Sequence, residues 1–125
     1  MRITARAPRR PTEDAEKVKQ ALLNLFPGGE VETEGEEIVV RTDSGERLRK
    51  IILDNHIRDT ARSVMLCARK GSSTAFQLNK QVAYVGKVSF VEGTVALGTI
   101  TVEVEDEDLD GAIDYLAEST VEVQE

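Results

Sequence analysis

Ile3, Ala5 and Ala7 alternate with Arg2, Thr4 and Arg6, the two-residue period of a strand with one buried face, and the prolines at 8 and 11 interrupt it. Thr12 then offers a side-chain oxygen as an N-cap, and Glu13 and Asp14 place acid in a first helical turn. Val18, Ala21, Leu22, Leu25 and Phe26 recur at helical spacing until Pro27, Gly28 and Gly29 end the segment. Val31 among glutamates, a turn at Glu34 to Glu36, and Glu37 to Thr42 with Ile38 and Val40 read as a hairpin whose first strand is short.

A second helix is predicted from Asp43 or Ser44, with Leu48, Ile51 and Ile52 inward and Asn55 near its end. A third runs from about Ile57 to Arg69, where Ile57, Ala61, Val64 and Ala68 form a stripe expected to face the core. After Gly71, Ser72 and Ser73, Phe76 and Leu78 alternate with Gln77 and Asn79. Val82 to Phe90 is rich in strand formers, with Gly86 marking a bulge or a close approach. Glu92, Gly93 and Thr94 suggest a turn, and Ile100, Val102 and Val104 alternate with threonines and glutamates in a strand with one wet face. Leu109, Ala112, Ile113, Leu116 and Ala117 mark a final helix behind the acids at 106 to 108.

The predicted order is therefore β-α-β-β-α-α-β-β-β-α. Several predicted hairpins in a mixed order imply the α+β class: a mostly antiparallel sheet with helices packed on it. No repeat or linker divides residues 1–125, so one domain is expected, with 119–125 as a loosely held tail. A chain of 125 residues can bury one sizeable core. No apolar run approaches the roughly 18–20 residues of a membrane helix, and no apolar stretch follows Met1-Arg2-Ile3-Thr4, so neither a span nor a secretory leader is expected. Cys67 is the single cysteine, which excludes an internal disulfide and a multi-cysteine zinc site. It is expected to pack as a small hydrophobe, and a reducing cytoplasm fits it best.

Charge changes this picture. The net charge of −7 opposes a nucleic-acid partner, but its distribution is uneven. Residues 41–87 hold ten Lys or Arg against four Asp or Glu, whereas residues 88–125 hold eleven acids and no base. Within the third helix, Arg58, Arg62 and Arg69 fall inside a 40° arc at about 100° per residue. Arginine forks match phosphate geometry, and a helix face can track a nucleic-acid backbone. Asp59 is spaced to pair with Arg62, and Asp54 with Arg58, so the same stripe also reads as an ordinary solvated face. Lys80, Gln81 and Lys87 could extend it.

Other candidates carry less. His56 is the lone histidine, so no two-histidine metal site exists, and its place beside Asn55 suits an interhelical turn. Gly71 to Thr74 follow Lys70 but enter a strand rather than a helix, which makes them a connecting loop rather than a phosphate cradle. Gly86-Lys87 lacks the upstream glycine and following hydroxyl of a phosphate loop. The glutamates at 30, 32, 34, 36 and 37 lack calcium-loop spacing and read as a charged edge-strand face. No catalytic, cofactor-binding or metal-ligating residue is assigned.

The segments Pro11-Thr-Glu-Asp-Ala-Glu-Lys-Val18, Leu23-Asn-Leu-Phe-Pro27, Asp59-Thr-Ala-Arg-Ser63 and Phe76-Gln-Leu-Asn-Lys-Gln-Val-Ala-Tyr-Val-Gly-Lys87 resemble an archaeal uncharacterised protein family, number 0201 in the UPF series. The resemblance covers nearly the whole chain and is most specific at Leu78 to Gln81, with a conservative departure at Val82, where alanine is expected. It implies an α+β fold similar to the large-subunit ribosomal protein that binds 5S ribosomal RNA. It implies a cytoplasmic location and carries over no activity or catalytic residue.

Three functional expectations follow. The first is a non-catalytic module for structured RNA or a ribonucleoprotein, using Arg58, Arg62, Arg69, Lys80, Gln81 and Lys87. The second is a protein-interaction or self-assembly module, such as a homodimer, in which the basic middle of one copy meets the acidic end of another. The third, an enzyme using Asp59, Arg62, Asn79, Lys80 and Gln81, ranks last, because no nucleophile and base pair, metal set or cofactor motif accompanies them.

Overall fold

The computed structural model describes residues 1–8, 14–91 and 99–117. In chain order the elements are β1 (Arg2–Pro8), α1 (Ala15–Leu25), β2 (Glu30–Glu34), β3 (Glu37–Thr42), α2 (Glu46–Asp54), α3 (Arg58–Cys67), β4 (Ser73–Asn79), α4 (Lys80–Ala83), β5 (Thr99–Glu105) and α5 (Leu109–Leu116). The strands form one five-stranded antiparallel sheet in the order β2-β3-β1-β5-β4. The fold class is α+β, as the alternation and helical periods require.

Register follows from burial. Ile3, Ala5 and Ala7 of β1 lie opposite Thr42, Val40 and Ile38 of β3, and Ile3 and Ala5 lie opposite Val104 and Val102 of β5. The apolar residues among these, with Phe76 and Leu78 of β4, point to one side of the sheet and share a core with Val18, Leu22 and Leu25 of α1, Leu48 and Ile52 of α2, Met65 of α3 and Leu109, Ile113 and Leu116 of α5. A one-residue slip would turn every one of these strand side chains into water.

The other sheet face carries an ion-pair lattice. Val39 is 0% exposed yet stands outside the main core. Its cross-strand neighbours are Arg6 and Glu32, and the side chains around it are tied together. Arg41 donates to Glu32 and to Glu34 (2.6 Å), and Arg6 approaches Glu34 (3.7 Å) and Glu37 (3.9 Å). The aliphatic stems of these residues cover the valine while their heads stay wet. The Arg41 guanidinium holds the Glu34 carboxyl below its ordinary range, and Glu34 and Glu32 in turn raise Arg41. The charged edge-strand reading of these glutamates matches β2, the outermost strand.

Four local expectations change. Asp14 is the N-cap of α1, its side chain accepting from Glu16 N, while Thr12 lies outside the described residues. The inward side of α3 passes through Ala61 and Met65, with Val64 only partly buried, so Cys67 is exposed rather than packed. The segment after β4 is helical where a strand was expected: Asn79 Oδ1 accepts from Val82 N (3.1 Å), and Gly86, at φ 74°, follows the turn beyond α4. A side-chain cap together with a left-handed glycine overrides the strand preference of Val82, Tyr84 and Val85. Ser89 to Val91 return to the sheet: the Ser89 carbonyl accepts from Asn79 N (2.9 Å), Val91 N donates to the Gln77 carbonyl (2.9 Å), and Phe90 bridges Leu78 with its ring 5.7 Å from Phe76. The turn expected at 92–94 and the tail at 119–125 lie outside the described residues.

Candidate nucleic-acid interface

Arg58 and Arg62 lie on α3, whereas Arg69 follows its C-cap, so the expected third member of the stripe is off the helix, and the structure gives Arg62 and Arg69 partners. Arg62 donates to Asp114 of α5 and to the Ala117 carbonyl (3.3 Å), and Arg69 donates to Asp110, one turn earlier on α5. Asp110 and Asp114 are four residues apart and so share a helix face of α5, and they meet Arg69, just beyond the C-cap of α3, and Arg62, within it. The complementary charges expected to meet between two copies thus meet within one chain. Arg58, at the first turn of α3, has no ion pair among the described residues.

The remaining expected contacts separate. Lys80 is 2% exposed, and its ammonium donates to the Pro8 carbonyl (2.7 Å), tying the end of β1 to the start of α4. A lysine held this way is structural, and its charge does not reach the surface, which corrects its assignment to an RNA-facing patch. Gln81 and Lys87 are exposed on α4 and just beyond it.

The pattern of ion pairs sorts the cations of the chain. Arg2, Arg6, Arg41, Arg62 and Arg69 each face a carboxylate. Lys17, Lys19, Arg47, Lys50, Arg58, Lys70 and Lys87 have no such partner among the described residues. Arg47 and Lys50 project from α2 on the side away from Leu48, Ile51 and Ile52, a placement the helical spacing of residues 47 to 52 already contained. Arg49, between them, stacks its guanidinium 5.5 Å from the Tyr115 ring of α5.

A groove of about 650 Å³ lies beside this face, lined by Gln20, Leu23 and Asn24 of α1, Arg47 of α2 and the turn from Tyr84 to Gly86. Asn24 holds that turn in place, donating to the carbonyls of Ala83 (2.9 Å) and Tyr84 (3.1 Å), and Gln20 in turn donates to Asn24 (2.7 Å). A second depression of about 510 Å³ shares Pro27 and Arg47 with the first and continues along α2 to Lys50. The strand expectation for Val82 to Phe90 hid this groove. Where β1 begins and β5 ends, the Asp108 backbone N–H (2.8 Å) and the Met1 ammonium (3.1 Å) hold the Asp106 carboxyl below its ordinary value. No group of three His, Cys, Asp or Glu residues stands together as a metal set among the described residues, and no described helix is long and apolar enough to cross a membrane.

An antiparallel sheet with one ion-paired face and one helical face that leaves part of its positive charge unpaired defines a small α+β domain. A family model described as RNA binding matches residues 2–105. The chain is 40% identical over 119 residues to a UPF0201 protein of Methanothermobacter thermautotrophicus, covering 93% of this chain and 90% of that one. It is similar to a solved UPF0201 protein (TM-score 0.88, 34% identity, 96% and 95% of the two chains) and to the UPF0201 protein of Methanococcus jannaschii solved at 2.2 Å (TM-score 0.86, 36% identity, 97% and 96%). The chain belongs to the UPF0201 family.

Proposed function

We propose that this protein is a non-catalytic RNA-binding module whose contact surface is the helical layer, with Arg47, Lys50, Arg58 and Lys87 engaging phosphates. The observation that carries this reading is the division of the cations. Those on the sheet face are neutralised by glutamates on neighbouring strands, whereas these four, like Lys17, Lys19 and Lys70, have no ion pair among the described residues, and Arg47, Lys50 and Lys87 flank one groove. The family model's description supports the nature of that partner, and the likeness to the 5S-binding ribosomal protein implied by the family resemblance points the same way. Arg62 and Arg69 lie on the same layer, where phosphates would compete with Asp114 and Asp110 for their forks.

At a net charge of −7 the approach of RNA is restricted to this side of the molecule, so binding is expected to be oriented and strongly dependent on salt. Titration of labelled total RNA with the full chain at low salt tests the proposal. Saturable binding that the double charge reversal Arg47→Glu, Lys50→Glu weakens by about tenfold or more is expected. Absence of binding at low salt would refute it.

A further inference from the structure

We propose that the groove between α1, α2 and the Tyr84–Gly86 turn holds an unpaired nucleotide, so that the RNA recognised is single-stranded at this point. This inference rests on the RNA-binding reading above and adds the form of RNA and the place where its base sits.

The groove combines three kinds of group that a phosphate site or an apolar peptide groove would not combine. Leu23, Pro27 and Val85 supply apolar wall, and Tyr84 lines the same space. Val85 is 71% exposed, the most exposed of the large hydrophobic residues among the described residues, at the tip of a turn that Asn24 pins with two hydrogen bonds. An apolar side chain held rigidly in water at a groove mouth suits a flat partner that needs no change of backbone shape. The amide of Gln20 is the second group. Its nitrogen reaches Asn24 while the residue itself stays exposed, leaving its carbonyl oxygen and remaining N–H for the edge of a base. The third is charge: Arg47 lines the groove, Lys87 directly follows Gly86, and Lys50 stands one turn along α2, where the depression continues.

The volume, about 650 Å³, lies within the roughly 300–1,000 Å³ of sites that enclose a small ligand, and a nucleotide is of that class. Bases in a duplex are stacked and paired, and the narrow major groove of A-form RNA denies side chains their edges. A groove with an apolar wall and an amide therefore selects a base that is already out of the helix. Single-strand binders join such stacking surfaces to cations that follow the backbone, and here Arg47, Lys50 and Lys87 take that part, with Asp43 and Glu46 on the far side of the same depression limiting the path to their side.

The test measures fluorescence anisotropy of the full chain with fluorescein-labelled oligoadenylate of about 12 nucleotides and with a blunt RNA duplex of about the same length, within the size range of single-strand sites. The single strand is expected to bind about tenfold more tightly than the duplex. Val85→Asp, at a position too exposed to matter for folding, and Arg47→Ala are each expected to weaken the single strand by about fivefold or more. Lys70→Ala, in the turn before β4, should change it by less than about twofold. Equal affinity for the two RNAs, or single-strand binding left within about twofold by both groove variants, overturns the groove and leaves the RNA-binding reading standing. Binding of neither RNA at low salt overturns both.

Discussion

Arg62 on α3 donates to Asp114 on α5, 52 positions later, and the pair is only partly shielded, with the arginine side chain 27% and the aspartate 58% exposed. With Arg69 and Asp110 it makes a two-rung contact between the basic middle and the acidic end of one chain. The net charge of the protein therefore hides an internal neutralisation.

These rungs occupy arginine forks that phosphates would otherwise take. Exposed pairs are each worth about 0.2–1 kcal/mol, so Asp110→Asn with Asp114→Asn should lower the unfolding free energy by less than about 2 kcal/mol. The same double variant should bind RNA about threefold to tenfold more tightly, read by anisotropy at fixed salt. Unchanged affinity would place the α3 stripe outside the contact surface.

Lys80 should matter to stability far more than to recognition. Lys80→Met keeps an apolar stem but leaves the Pro8 carbonyl without its donor, and urea denaturation should show a loss of about 1–3 kcal/mol. The folded fraction should bind RNA as the parent does. A loss of affinity without a loss of stability would return Lys80 to the interface.

Acid should loosen the sheet face and the β5–α5 corner. Glu34 and Asp106 have folded-state values below their ordinary 4.5 and 3.8. A carboxyl depressed on folding stabilises fully above its unfolded value, and that contribution is lost as pH falls through the folded one. The urea midpoint should be flat above about pH 6 and decline below about pH 4, with a shallower decline in Glu34→Gln. A midpoint that rises on acidification would contradict the lattice.

Much of the fold was legible because β1, β5, α1, α2 and α5 each bury one regular stripe, and period alone separates helix from strand. Ala61 is spaced for the core in either reading of α3, but four residues on the choice between Val64 and Met65 depended on how α3 tilts against β4, a tertiary fact. Met65 won, its carbonyl accepting from the buried Thr74 hydroxyl (2.7 Å), and Cys67 was turned outward. The helix after Asn79 was lost to strand propensity, and with it the groove at Tyr84 to Gly86. The helical spacing of Arg58 and Arg62 was legible, whereas the end of α3 before Arg69 and the partners of Arg62 and Arg69 on α5 were not, because local rules reach only to neighbours such as Asp59. Arg47 and Lys50 were countable but had no distinction until the ion pairs of the other cations were known.

The most direct test of the account is the salt dependence of RNA binding, compared between cations that are paired and cations that are not. The logarithm of the binding constant should fall linearly with the logarithm of salt concentration, and Arg47→Ala, Lys50→Ala or Lys87→Ala should each reduce the slope by about 1. Arg41→Ala, on the ion-paired sheet face, should leave the slope unchanged. Equal reductions from Arg41 and Arg47, or no salt dependence at all, would contradict the claim that the helical layer is the RNA-binding surface.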